Sequence, residues 1–465
     1  MTEPIILPDY IGKFMDHFKK EGYEIYVVGG AIRDLILRKK TDNWDFTTNA
    51  TPEEIQKLFP DSFYNNDYGT VSVPGILNQV PNDTKIIFEI TPFRKETSYK
   101  DKRHPDKIEW AKTIEEDLIR RDFTINALAF DGKKIVDINN SIDDLNNKLI
   151  RSVSDPDKRF TEDALRLIRA VRIACQLGFL IEEQTRQSII RNARLIQYIS
   201  WERISAEFLK ILASNHPSEG IVFLKNTGLL QYILPELEKC FAIPQKSPKR
   251  HHIYDVGTHS IEALKHCSSY DPITRFATLL HDIGKADTFY RDNTGLITFH
   301  NHEIVGSQLA EIIAERFRLS KLHKHKLVTL IRHHMFSVSE KQTDKSLRRF
   351  IRNVGKEYLT DALALRIGDR IGSGAKPTSW RTELFKKRLI EVQKEPFKIT
   401  DLKINGNEVM KTLSLKPGPK VGAILSQLFN AVVENKLENK KKVLLQELLR
   451  LSKSSKIGTA TKGDE

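Results

Sequence analysis

The stretch "VVGGAIRDLILRKKTDNWDFTTNATPEEI", residues 27–55, decides how the N-terminal part of the chain folds. Its first residues complete a β-rich run, "EIYVVGG", that ends on two glycines and passes into a helix start. Glycines let an anion's oxygens approach backbone N–H groups, and a helix N-terminus favours negative charge. Gly29 and Gly30 therefore suit a phosphate group, with Arg33 in the first helical turn near enough to pair with it. A plain strand-to-helix turn would look the same, so the weight falls on the next strand.

That strand, "NWDFTT", has side chains that alternate in direction. Asn43 and Asp45 then share one face, with Asp42 and Trp44 on the other. Oxygen ligands spaced by one residue can grip divalent ions, and Mg2+ prefers oxygen. Two such ions would align an attacking hydroxyl with a departing pyrophosphate. A third acid is expected from a neighbouring strand, and Glu89 in "IIFEITPFR" is the best candidate. Asn43 stands where such a pair wants its first acid. It keeps an oxygen donor but loses a charge, and it offers no carboxylate to bridge two ions. Next, "TPEEIQKLF" begins like a capped helix, with Thr51, then Pro52, then acids in the first turn.

The 465 residues, 40% hydrophobic and 29% charged, suit a globular protein of two to four domains. No apolar run reaches the length of about 18 residues that a transmembrane helix needs, and the N-terminus carries no secretory pattern. Three scattered cysteines, Cys175, Cys240 and Cys267, fit a reducing, cytoplasmic setting. The formal net charge of +13 suits a polyanionic partner such as nucleic acid. Strand signals concentrate before about residue 150 and nearly vanish after it. The fold class expected is α+β: a small mixed β-sheet head followed by a mostly α-helical body.

Four motifs occur in order: "GGAIRD…NWDFTTNATPEEI", "RRDFTINALAF" (120–130), "TEDALRLIRAVR" (161–172) and "WERISAEFLKIL" (201–212). Together they resemble the class II tRNA nucleotidyltransferases, the CCA-adding enzymes, and the related bacterial poly(A) polymerases. The resemblance covers most of residues 20–240. It implies that Gly30 and Arg33 bind a nucleoside triphosphate and that Asp45, position 43 and Glu89 hold Mg2+. It places Arg121, Asp122 and Asn126 in a ribose-sensing segment. It makes the helix of 162–172 an amino-acid template in which Asp163 and Arg166 pair with the Watson–Crick edge of CTP or ATP. Asp163 and Arg166, three apart, would share one helix face, and Arg169 and Arg172 would continue along it toward phosphates. There are two departures from the family pattern: Asn43 in place of an acid, and Asn140-Ser141 where two hinge glycines are usual. Asparagine tolerates left-handed backbone better than most residues, so a turn can survive there.

Eleven of the fourteen histidines lie between 251 and 334. His259, the adjacent His281-Asp282 and Asp369 offer imidazole and carboxylate ligands suited to a divalent transition metal. His302, His333 and His334 could build a second metal position. The H…HD…D order resembles the HD superfamily of metal-dependent phosphohydrolases, which implies phosphatase or 2′,3′-cyclic phosphodiesterase activity on RNA ends.

The domains expected are a head over 1–150, a helical template and RNA-contact region over 151–245, the HD-like domain over 246–378, a C-terminal helical tRNA-binding region over 379–453 and a disordered tail over 454–465. The activity expected is untemplated addition of C and A from CTP and ATP to the tRNA 3′ end, weakened by Asn43. The alternatives are a poly(A) polymerase or a CC- or A-adding enzyme, an RNA-end phosphohydrolase with an impaired head, and a tRNA-binding protein without turnover. No membrane and no protein partner is expected.

Overall fold

The computed structural model describes residues 5–41, 43–65, 69–74, 87–96, 108–245, 254–336, 338–393, 399–434 and 436–457. In the head, nine strands are β1 (Ile25–Val28), β2 (Asp45–Thr48), β3 (Phe63–Asn65), β4 (Thr70–Pro74), β5 (Ile87–Pro92), β6 (Arg94–Glu96), β7 (Ile108–Trp110), β8 (Leu128–Phe130) and β9 (Ile135–Asp137). Seven of them form one sheet in the order β3-β4-β5-β2-β1-β8-β9, and β6 pairs with β7. Only β2 and β5 run parallel within the seven-stranded sheet; its other pairs are antiparallel.

Helices pack on the sheet, with Phe14 on one face and Ile114 and Leu118 beside Val28 and Ala129 on the other. The apolar side of α1 (Asp9–Lys20) places Phe14 against Phe46 of β2 and Phe88 of β5, with ring centroids 4.9 and 4.5 Å apart. Helix α2 (Gly30–Ile36) leaves directly from β1, and α3 (Pro52–Leu58) opens with the expected cap. Thr51 accepts from the Glu54 N–H while Glu54 accepts from the Thr51 N–H, so two otherwise orphaned donors are satisfied.

After α4 (Ile114–Ile119), the turn before α5 (Ser141–Asn146) settles the fate of the missing hinge glycines. Asn140 takes the left-handed conformation, φ 54° and ψ 38°. The Asp137 carboxylate holds the turn, accepting from the N–H groups of Ser141 at 2.8 Å and Ile142 at 3.0 Å.

Among the described residues the body is helical apart from two short strand pairs, Leu149–Ile150 with Leu180–Ile181 and Phe289–Arg291 with Ile297–Phe299. The expected continuous helix over 162–172 is broken. Helix α6 (Pro156–Glu162) ends, Asp163 lies in extended backbone, and α7 (Leu165–Leu177) begins. The cause is local: the Asp163 carboxylate accepts from the Leu165 N–H at 3.1 Å, a short-range bond that competes with helix continuation. The three-residue spacing therefore does not put Asp163 and Arg166 on one helix face.

One hydrophobic core runs from the head through the histidine-rich helices and includes Phe385, Leu389 and Val392 of helix Trp380–Val392. A second, smaller core joins Leu402, Val409, Leu428 and Leu448. The expected boundary at 379 thus does not coincide with the break between cores, which falls after Val392. The last helix, Lys441–Ile457, also continues into the segment expected as a disordered tail; residues 458–465 of that tail lie outside the described residues.

Candidate active sites

The head site grows from the turn between β1 and α2. Gly29 has φ 69° and ψ −134°, a backbone conformation that glycine alone adopts readily. A Cβ there would lie 3.4 Å from Arg121 Nη1 and 3.9 Å from Asp45 Oδ2. The bare glycine therefore brings a guanidinium, a carboxylate and a helix N-terminus to one spot.

Two carboxylates stand beside this turn. Asp45 on β2 and Glu89 on β5 are register partners on neighbouring parallel strands, so their side chains share a face. Burial and the nearby Glu89 carboxylate both raise the pKa of Asp45, against the opposing pull of Arg121. Trp44 is buried and Asn43 is exposed, as the alternation requires, although Asn43 precedes the assigned strand. Asp42 lies outside the described residues.

Arg121 is anchored from behind. Asp117, fully buried on α4, meets Arg120 Nη2 at 2.6 Å and Arg121 Nη2 at 3.0 Å. Burial opposes its charge, but the two guanidiniums win and hold its pKa at about 2. Sequence reasoning missed Asp117, though its spacing of three and four from "RR" in "EEDLIRR" is a helix-face signal.

A polar chain links the glycine turn to α7. Arg33 Nη1 donates to Asn126 Oδ1 at 2.8 Å, and Asn126 Nδ2 donates to Asp122 Oδ1 at 3.2 Å. Asp122 Oδ2 then meets Arg169 Nη1 at 3.3 Å. Buried Glu207, from helix Trp201–Leu212, lies 3.8 Å from Arg169 Nε and 2.6 Å from Arg172 Nε. Burial opposes the charge on Asp122, but Arg169 and Arg166 hold its pKa below the ordinary value. So Arg33, Asn126, Asp122, Arg169 and Arg172 do come together, through a glutamate that sequence reasoning missed. Asp163 and Arg166 diverge. Asp163 Oδ2 meets Arg203 Nη2 at 3.1 Å, while Arg166 turns inward to Glu162 Oε2 at 3.1 Å and the Arg159 and Arg120 carbonyls.

The second site gathers around Asp282, which follows helix Pro272–Leu280. Its Oδ2 lies 3.2 Å from His281 Nε2 and 3.5 Å from His259 Nε2, and its Oδ1 lies 3.3 Å from His302 Nε2 and 3.6 Å from His334 Nε2. Asp369 Oδ1 completes the first group, 3.4 Å from His259 Nε2 and 3.7 Å from His281 Nε2. His281, His302 and His334 each place Nδ1 2.8 Å from the carbonyl three residues earlier, which turns Nε2 inward. Lys285 Nζ bonds Asp282 Oδ2 at 2.6 Å and Gln245 Oε1 at 2.7 Å.

Close backbone contact positions these side chains. A Cβ on Gly368 would sit 2.4 Å from the Ala263 carbonyl and one on Gly372 2.7 Å from the Ala263 N–H. Helix Leu359–Gly372 can therefore press against helix Val256–Lys265, which brings Asp369 to His259. His333 does not join the cluster. It caps helix Lys321–Arg332, and neighbouring residues at a helix end diverge by about 100°. Burial and Arg332 lower its pKa.

Three family models match the chain: the Poly A polymerase head domain over residues 25–151, the RNA and SrmB binding site of polymerase A over 178–241, and tRNA nucleotidyltransferase domain 2 over 306–448. The CCA-adding enzyme of Ligilactobacillus salivarius is 31% identical over 451 residues, spanning 96% of this chain and 98% of that protein. The CCA-adding enzyme of Lactobacillus helveticus is 43% identical over 228 residues, 48% of this chain and 55% of its own length. Among solved structures, the Bacillus stearothermophilus CCA-adding enzyme in complex with CTP aligns with a TM-score of 0.71 at 25% identity, over 98% of this chain and 100% of that one. The Thermotoga maritima CCA-adding enzyme complexed with tRNA shares the fold, with a TM-score of 0.58 at 19% identity over 96% of each chain. None of the described helices is long and apolar enough to cross a membrane. With similarity that spans a relative almost end to end and the same fold throughout, the chain belongs to the family of CCA-adding enzymes, the tRNA nucleotidyltransferases.

Proposed function

We propose that this chain adds C and A from CTP and ATP to the 3′ end of tRNA, with its own residues as the template. The observation that carries the reading is the single connected site from the Gly29 turn, past Asp45 and Glu89, to the arginines of α7. The paired carboxylates suit Mg2+: burial and the neighbouring Glu89 disfavour the charge on Asp45, and a cation between the two acids offsets that cost. Asp45 and Glu89 would hold Mg2+, with the Asn43 side-chain amide oxygen as a weaker ligand, and the ion would supply charge neutralisation at the reacting phosphate.

The chain's own groups do the rest. The Gly29–Gly30 backbone, Arg33 and Arg121 hold the triphosphate. Asp122 and Asn126 lie against the ribose. Asp163 offers an acceptor and Arg166 donors to the base edge, which requires Arg166 to exchange its bonds to Glu162 and the Arg159 carbonyl for the base. Arg169 and Arg172 are pre-positioned by Glu207. In the reaction the RNA 3′-oxygen bonds to the α-phosphorus, the bond to pyrophosphate breaks and the hydroxyl proton passes to solvent. Incubation with labelled CTP and ATP on tRNA lacking its 3′ end tests the proposal: both labels enter, and Asp45→Asn abolishes entry. Failure of either label to enter refutes it.

A second activity is favoured by the histidine–aspartate cluster. We infer that His259, His281, Asp282 and Asp369 form one divalent transition-metal position, and Asp282, His302 and His334 another, as in an HD phosphohydrolase. The donors fit: inward lone pairs 3.2 Å apart on His259 and His281 suit a shared cation better than each other. Ions held there would supply Lewis-acid polarisation of a phosphoester. Hydrolysis of a 2′,3′-cyclic phosphate would join water's oxygen to phosphorus, break one ester bond and leave the proton on the freed ribose oxygen. Release of phosphomonoester that disappears in His281→Ala supports this; no release with any divalent ion refutes it.

A further inference from the structure

The wall of the histidine–aspartate cavity continues away from the metal ligands. The cavity measures about 540 Å3 and is bounded by Asp282, His302, His334 and Asp369 on one side and by Met335, Arg366 and Arg370 on the other. Those last three residues also line an adjoining cavity of about 530 Å3, whose far side is Trp380 and Arg381. Each volume is ligand-sized, so the pair offers more room than one phosphoester group needs.

The residues along the shared wall have a consistent chemistry. Arg366 Nη1 donates to Asp369 Oδ2 at 2.9 Å, which steadies a metal-side carboxylate from outside. Arg370, one residue beyond that aspartate, projects from the same helix into both cavities. Trp380 opens the next helix and is 63% exposed, with the Arg381 guanidinium 5.2 Å from its ring centroid. Glu340 holds Arg381 in place at 2.8 Å. An exposed indole packed by a fixed cation, next to further arginines and continuous with a phosphoester site, offers stacking and phosphate contacts in a row.

We propose that this paired cleft binds a single-stranded RNA end. The terminal phosphate lies at the histidine cluster, the preceding phosphate at Arg370, and the preceding base on Trp380. The substrate class is then an oligonucleotide with a terminal phosphoester rather than a free nucleotide. The proposal rests on the phosphohydrolase reading of the cluster and adds the residues that select its substrate.

The test compares a 2′,3′-cyclic mononucleotide with a trinucleotide ending in the same group, in the full chain supplied with divalent metal. The trinucleotide is favoured in kcat/KM by about ten-fold or more, the scale of one base–aromatic stack. Trp380→Ala removes that preference, whereas Trp380→Phe keeps it. Binding of a fluorescent trinucleotide 3′-phosphate, followed by anisotropy, weakens several-fold in Trp380→Ala, and its salt dependence falls in Arg370→Gln. Equal turnover of both substrates, or trinucleotide binding indifferent to Trp380, overturns the proposal. Loss of all turnover while binding still depends on Trp380 overturns only the hydrolytic reading of the cluster.

Discussion

Asp45 and Glu89 face one another across two parallel strands, and Asp45 is the residue that also approaches the Gly29 turn. This pairing makes the head a two-carboxylate site, with Asn43 exposed just ahead of β2. Restoring the charge, Asn43→Asp, is expected to raise the rate of CTP and ATP incorporation by about ten-fold or more, because a full ligand charge strengthens stabilisation of the developing phosphate charge. Nucleotide KM should change less than kcat. Equal rates in both proteins, measured by single-turnover incorporation, would show that an amide suffices at this position.

Gly29→Ala should damage the site without dismantling the fold. Its positive φ with a ψ of −134° costs a non-glycine residue on the order of 1–3 kcal/mol, and the new methyl meets Arg121. The expected result is a lower melting temperature with a larger proportional loss in triphosphate affinity. Calorimetry and a CTP-binding titration measure the two effects.

The Asp117 anchor gives the head an acid limit. Its folded pKa of about 2 lies below the ordinary carboxylate value of 3.8, so the group favours the folded state at any pH above the latter. That contribution, about 2 kcal/mol, is lost as pH falls from about 4 toward 2. Asp117→Asn should therefore destabilise the protein at pH 7, by about 3 kcal/mol for a broken buried pair, and flatten stability between pH 4 and 2. Denaturant melts across that range check the slope.

The glycine contact in the second site predicts a separable loss. A Cβ at Gly368 would meet the Ala263 carbonyl at 2.4 Å, so Gly368→Ala must push two helices apart and draw Asp369 from His259. Divalent metal retained after dialysis should fall in Gly368→Ala and in His281→Ala, while CTP and ATP incorporation persists in His281→Ala. Elemental analysis beside an incorporation assay reads both.

Much of the head's fold and of its candidate site was legible in the sequence because local chemistry governed it. The strand ending on Gly29-Gly30, the Thr51 cap and the left-handed Asn140 are all short-range signals. What was not legible depended on competition or on distant partners. Asp163 has both a helical pattern and a side chain able to break it, and the bond to the Leu165 N–H won. Glu207 and Asp117 become important only when folding buries them against arginines. His333 and His334 are indistinguishable as neighbours, and the end of their helix chooses between them.

The proposed reaction builds a defined nucleotide sequence on tRNA, with chemistry in the head and template residues in the helices that follow it. The most direct measurement is sequencing of the 3′ tail added to tRNA lacking its terminal nucleotides, with all four nucleoside triphosphates present. The tail expected is C, C and A and then a stop. A run of A, a random tail, or no added nucleotide would contradict it.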